Sequence, residues 1–183
     1  MSQNEDLARV KIFRFDPEMD KEERYETFEV PYEGRTVLNV LEAIYRGFDQ
    51  GLAFRCGCEG KHDSRCGACA IQVNGLPALA CKRISEKEMV IEPHAKFEVI
   101  KDLVVDFNKI REEIPKKEPS VQISIDPDKC MKCGDCVAIC PVGVYETKKG
   151  EIQASGAEFC CGDTCNQCVT YCQTGAITLQ KLY

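Results

Sequence analysis

The residues with chemistry in them are cysteines. The chain of 183 residues has 14 cysteines and only 2 histidines. The cysteines fall into three tight groups, Cys56–Cys81, Cys130–Cys140 and Cys160–Cys172, with long cysteine-free stretches between. Within the groups two residues often separate neighbours, a spacing that lets several thiolates converge on one metal centre. A disulfide framework is the competing explanation. Clustering argues against it, and so does the polar start Met1–Asp6, which has no apolar core of an export signal and predicts a reducing, cytoplasmic setting.

The first group reads FRCGCEGKHDSRCGACAIQVNGLPALAC from Phe54. Cys66, Cys69 and Cys81 match the later part of a plant-type [2Fe–2S] pattern, which opens C-x4-C-x2-C. Two irons need four thiolates, three from one wrapping loop and one from a following strand. Gly57, Gly60, Gly67 and Ala68 would let backbone N–H groups approach the sulfurs closely. The first ligand is open between Cys56 and Cys58, because the expected spacing falls on Lys61; Cys58 needs the smaller insertion. His62 and Asp63 lie inside the enlarged loop and read as solvated.

The stretch Leu52–Cys81, with FR at 54–55, CGAC at 66–69 and LAC at 79–81, resembles the iron–sulfur subunit of succinate dehydrogenase and fumarate reductase. So does VIKDLVVDF at 99–107, and the likeness covers about residues 8–107. It implies Cys58 as the first ligand and a flavin-bearing catalytic subunit as partner. The loop insertion departs from that family.

Cys130-x2-Cys133-x2-Cys136-x3-Cys140-Pro141 is the complete cysteine run of a bacterial [4Fe–4S] ferredoxin. Cys161, Cys165, Cys168 and Cys172 form a second copy, with one extra residue at its start and Gln173 in place of proline. The duplication resembles a two-cluster ferredoxin, in which the fourth cysteine of each run serves the other cluster. That likeness implies one [4Fe–4S] cluster on Cys130, Cys133, Cys136 and Cys172, and another on Cys161, Cys165, Cys168 and Cys140. Cys160 is a spare thiol or the ligand in place of Cys161. This half departs from the succinate dehydrogenase subunit, whose C-terminal domain is larger, helical and equipped with a [3Fe–4S] cluster beside a quinone site. A direct quinone site and a membrane-anchor dock are therefore not expected.

These sites need positioning elements. Residues 8–15 and 27–32 alternate as two strands of a hairpin. Val37, Val40, Leu41, Ile44 and Phe48 make one helical stripe behind an N-cap at Thr36. Asn74–Gly75 is a type I′ turn signal joining a strand at Ala70–Val73 to one at Ala78–Ala80. Residues 108–120, charged and carrying Pro115 and Pro119, read as a linker that begins with a short helix. Strands are predicted at 121–125 and 176–179, with turn and irregular loop over 150–159. The result is an α+β chain. A plant-type, β-grasp-like ferredoxin domain occupies 1–107, the linker 108–120, and a small bacterial-type dicluster ferredoxin domain 121–183.

Charge narrows the function. The net charge of −6 and the lack of a basic run argue against nucleic acid, since Lys116–Lys117 sits among Glu112, Glu113 and Glu118. No apolar run is long enough to insert in a membrane. His62 and His94 are isolated, so no acid–base set suggests an enzyme that binds substrate at a cluster, and no DNA-reading element suggests a redox sensor. The reading is an anaerobic-type electron-transfer subunit without catalytic residues of its own. It carries one [2Fe–2S] and two [4Fe–4S] clusters between a flavoprotein and a second, unidentified redox partner. A free ferredoxin-like carrier is the alternative.

Overall fold

A computed structural model describes residues 6–56, 66–114 and 117–182. Gly57, Cys58, Gly60, His62 and Asp63 lie outside the described residues. The N-terminal half is built on a mixed five-stranded sheet of order β2-β1-β5-β3-β4, from β1 (Leu7–Arg14), β2 (Arg24–Pro31), β3 (Ala70–Val73), β4 (Leu76–Leu79) and β5 (Glu88–Pro93). β1 pairs antiparallel with β2 and parallel with β5. Alternation explains which face is buried: Ala8, Val10 and Ile12 are fully buried, while Leu7, Arg9 and Lys11 face outward. The Asn74–Gly75 turn forms as the dipeptide predicts, with φ of 51° and 78°, and joins β3 to β4.

Helix α1 (Val37–Gly47) starts at Thr36, whose hydroxyl accepts from the Asn39 N–H at 3.4 Å while the Asn39 side chain answers the Thr36 N–H. Val37, Leu38, Val40, Leu41 and Ile44 bury the inner stripe. Phe48 is a correction to the expected stripe. The helix ends at Gly47, and Phe48 caps it 58% exposed, edge-on to Phe28.

A second antiparallel pair, β6 (Phe97–Lys101) and β7 (Val104–Ile110), follows the sheet. Residues 108–110 continue β7 instead of opening a helix, because pairing of Phe97 with Ile110 holds the strand extended. Between these strands Asp102 adopts φ of 47°. Its buried carboxylate accepts from the Arg14 guanidinium at 3.1 Å, the Phe15 N–H at 3.0 Å and the Ala53 N–H at 2.9 Å. Arg14 also meets Glu26 at 2.6 Å and Asp49. A buried charge needs such partners. Here they fix residues 52–54, the entrance to the first cysteine loop.

In the C-terminal half β8 (Val121–Ile125) pairs antiparallel with β11 (Ile177–Lys181). Between them lie α2 (Asp135–Ile139), α3 (Gln167–Tyr171) and a hairpin of β9 (Tyr145–Lys148) and β10 (Glu151–Ala154). That hairpin and a 3-10 turn at Ala157–Phe159 replace the irregular loop expected over 150–159. The positive φ of Lys149 and Gly150 supplies its turn.

Both halves contribute to one continuous apolar core, from Ala8 and Leu41 through Val105 to Val142 and Ile177. The tightest point of the seam is Gly67, at φ +68°, where an added Cβ would lie 2.2 Å from the Pro141 Cβ. Gly67→Ala is therefore expected to cost about 1–3 kcal/mol from the left-handed backbone, plus displacement of Pro141. Gly34→Ala, at φ +62° in open space, pays for the backbone alone. Thermal bleaching of the visible absorbance should show the larger loss for Gly67→Ala. Equal losses would mean that Pro141 gives way freely.

Candidate metal centre

No disulfide forms among the described cysteines. Cys69, on the approach to β3, and Cys81, just after β4, are both buried, with sulfurs 3.4 Å apart. As a thiolate Cys69 is stabilised first by the Cys81 thiol, then by backbone N–H groups that include that of Ala80; its pKa falls to about 6. Cys66 is exposed at the start of the same segment, and Ala68 lies in the turn before β3. The structure thus brings Cys69 and Cys81 together at the strand ends. Cys56 is exposed, with its sulfur 3.5 Å from the Glu42 carboxylate on α1, a neighbour that opposes a thiolate.

The second and third groups enclose two cavities. The first holds about 460 Å³ of empty space, its open mouth included, and is lined by Cys130, Cys133, Cys136 and Cys172, with Cys168 at its inner wall. The second holds about 360 Å³ and is lined by Cys140, Cys160, Cys161, Cys165 and Cys168. Cys172 therefore stands with the first run and Cys140 with the second.

The backbone repeats with the sequence. The Val144 N–H donates to the Cys140 sulfur at 3.3 Å, and the Ala176 N–H to the Cys172 sulfur at 3.3 Å. Gly143 and Gly175 have φ of 59° and 64°, which turn the chain back over each sulfur. Gly134 and Asn166, both left-handed, launch α2 and α3. Cys160 accepts from the Gly162 N–H at 3.4 Å, so both Cys160 and Cys161 remain at the second cavity.

The donor set fits iron–sulfur clusters. Sulfurs meet N–H donors at a depth where water is scarce, the surroundings that tune such clusters. No three described His, Cys, Asp or Glu side chains close on a single point as around one ion. A cluster binds each thiolate to a different iron and so spreads its ligands wider. Burial pushes the Cys160 thiol up to about 12 and Cys161 well above an ordinary thiol. The protein alone therefore holds them protonated, and iron binding must release those protons.

Three neighbours of the cavities escaped sequence reasoning. The Tyr145 hydroxyl donates to the Cys168 sulfur at 3.0 Å. The Thr164 hydroxyl accepts from the Leu79 N–H at 3.0 Å and donates to the Cys161 carbonyl at 2.6 Å, stitching β4 to the second cavity. Lys96 donates to the carbonyls of Val142 at 2.6 Å and Gly143 at 2.8 Å. Aligning Tyr145 with Ile177 in the duplicate runs would have exposed the first; the other two carry no local signal.

Replacing Cys160 or Cys56 by Ser should leave every reduced-cluster EPR signal in place. Loss of a [4Fe–4S] signal in Cys160→Ser, or of the [2Fe–2S] signal in Cys56→Ser, would move the ligand role to that residue. His94 is fully buried, 3.3 Å from the Phe159 carbonyl, and burial lowers its pKa to about 4. An unfolded histidine titrates near 6.5, so between about 6.5 and 4 the unfolded chain binds the extra proton. The stabilisation is complete above that window and is lost as pH falls through it, on the order of 3 kcal/mol in all. NMR of labelled histidine should show one imidazole, absent in His94→Gln, that does not titrate above about pH 5. A midpoint near 6.5 for that signal would contradict the burial argument.

A family model described as a 2Fe-2S iron-sulfur cluster binding domain matches residues 9–112, and one described as a 4Fe-4S binding domain matches 123–146. An iron–sulfur relative from Methanothermobacter marburgensis, a component of its fumarate reductase (CoM/CoB), is 29% identical, over 91% of this chain and 41% of its own. The fumarate reductase iron-sulfur subunit of Haemophilus influenzae is 30% identical, over 75% of this chain and 66% of its own. The chain thus spans less than two thirds of the length of either relative. A chain of the Mycobacterium smegmatis Sdh1 complex in the apo form aligns over 72% of this chain and 56% of its own, at TM-score 0.46 and 24% identity. With the first match covering more than half of its length, the chain belongs to the 2Fe-2S iron-sulfur cluster binding domain family.

Proposed function

We propose that this chain is the electron-relay subunit of a fumarate reductase- or succinate dehydrogenase-like oxidoreductase, with one [2Fe–2S] and two [4Fe–4S] clusters between a flavoprotein and a second redox partner. Three clusters would supply one-electron transfer in series. Cys58, Cys66, Cys69 and Cys81 are the proposed [2Fe–2S] ligands. Cys130, Cys133, Cys136 and Cys172 would hold one [4Fe–4S] cluster, and Cys140, Cys161, Cys165 and Cys168 the other. Gly67 and Ala68 keep the first loop slim beside the sulfurs. We read the five-stranded sheet with α1 as the plant-type ferredoxin arrangement, and the segment from Val121 as the dicluster unit.

One observation carries the proposal: the three thiol groups follow one another without a gap. Cys69 lies near enough to Cys161 and Cys165 for its thiolate to push their pKa values up. Gly67 abuts Pro141, next to Cys140. Cys168 lines both cavities. The outer cavity then opens beside Met131, which is 61% exposed, and Tyr171. The order implied is flavoprotein, Cys69 site, Cys140 site, Cys130 site, acceptor. Among the described residues no helix is long and apolar enough to cross a membrane.

Anaerobic analysis of the loaded chain should find about ten irons and ten labile sulfides. About six would remove one [4Fe–4S] centre. The tagged chain, isolated from its own cells, should co-elute with flavin in fixed ratio. Elution with full iron and no flavin would favour the free carrier.

A further inference from the structure

We infer that Tyr145 and Lys96 selectively raise the reduction potential of one [4Fe–4S] centre, the one on Cys140, Cys161, Cys165 and Cys168, and leave its duplicate unaffected. The inference rests on the two-centre reading above and deepens it.

The two runs superimpose residue by residue: Cys140-Pro-Val-Gly-Val-Tyr145 over Cys172-Gln-Thr-Gly-Ala-Ile177. Their backbones treat the fourth cysteine alike, with N–H···S bonds of 3.3 Å from Val144 and from Ala176. The side chains break the symmetry twice. Tyr145 puts a hydroxyl 3.0 Å from the Cys168 sulfur, whereas its twin Ile177 has no donor to offer. Lys96 clamps the carbonyls of Val142 and Gly143, whereas the twin carbonyls of Thr174 and Gly175 meet no ammonium among the described residues.

Reduction by one electron adds one negative charge to a centre and its thiolates. A hydrogen bond donated to a ligating sulfur, and a cation beside the ligating segment, each stabilise the more negative form. Lys96 is suited to this because it is half-buried between the rings of Phe97, at 5.7 Å, and Phe159, at 5.4 Å. Its field is less screened there than a solvated lysine's, although Glu158 offsets part of it. Burial of the same centre works against added charge. What the two side chains contribute is therefore an upward shift against that background, which single substitutions can isolate.

The test uses the full chain, loaded anaerobically, with iron and sulfide counted before a mediated dithionite titration followed by EPR. Tyr145→Phe keeps the ring and removes the donor; Lys96→Met keeps the stem and removes the charge. Each should move the midpoint of one [4Fe–4S] signal to lower potential, leaving the other [4Fe–4S] signal and the [2Fe–2S] signal where they were. The double variant should move the same signal further, and Lys96→Arg should restore the wild-type value. Two loaded centres with unmoved midpoints, or equal shifts in both, would overturn the inference while leaving the relay reading intact. A wild-type chain with only one [4Fe–4S] signal would overturn both.

Discussion

Bare backbone at Gly67 is the contact on which the arrangement depends. Only a residue without a side chain lets the first cysteine loop lie against Pro141. That contact brings Cys69 and Cys81 up to Cys140 and Cys161, and everything else on the seam serves to hold it. Thr164 ties the Leu79 N–H to the Cys161 carbonyl. Lys96 reaches across to two carbonyls that follow Pro141, and His94 to one that precedes Cys160. Each of these side chains satisfies a backbone group that the tight approach removes from water, where leaving it unpaired would cost about 1–3 kcal/mol.

The seam also explains how a C-terminal half of this size holds together. A segment of 63 residues has little core of its own. Here Val142, Val144 and Ile177 are continuous with the core under the N-terminal sheet. The linker is fastened as well, since Lys117 donates to the Gln72 side chain and to the Gly75 carbonyl on the β3–β4 hairpin. Tethering by 108–120 alone would leave the halves free to separate. The shared core is what keeps the thiol groups in sequence.

Much of this was legible in the sequence because its devices are local. Thr36 with Asn39, the Asn74–Gly75 turn and the alternation of Ala8, Val10 and Ile12 each act over a few residues. The cysteine runs were legible for the same reason: three thiolates of a cluster come from one short loop. Failures came where distant pairing overrides local signal. β7 runs on to Ile110 through a charged stretch because Phe97 waits opposite, and the hairpin at 145–154 forms from residues that alone suggest a loop. His94 read as isolated because its partner at Phe159 lies 65 positions away.

The duplication carries a last consequence. Copying one cysteine run gives two centres the same backbone cradle, and identical cradles would hold electrons equally well. Divergence therefore has to come from side chains that touch one copy only. The seam supplies the difference: the inner copy faces the N-terminal half and gains Lys96 from it, while the outer copy faces solvent beside Met131 and Tyr171. Asymmetry between the centres is thus not a property of either run. It is imposed by the docking of the two halves, so the contact at Gly67 orders the thiol groups in space and, through what it brings near Cys140, sets them apart in energy.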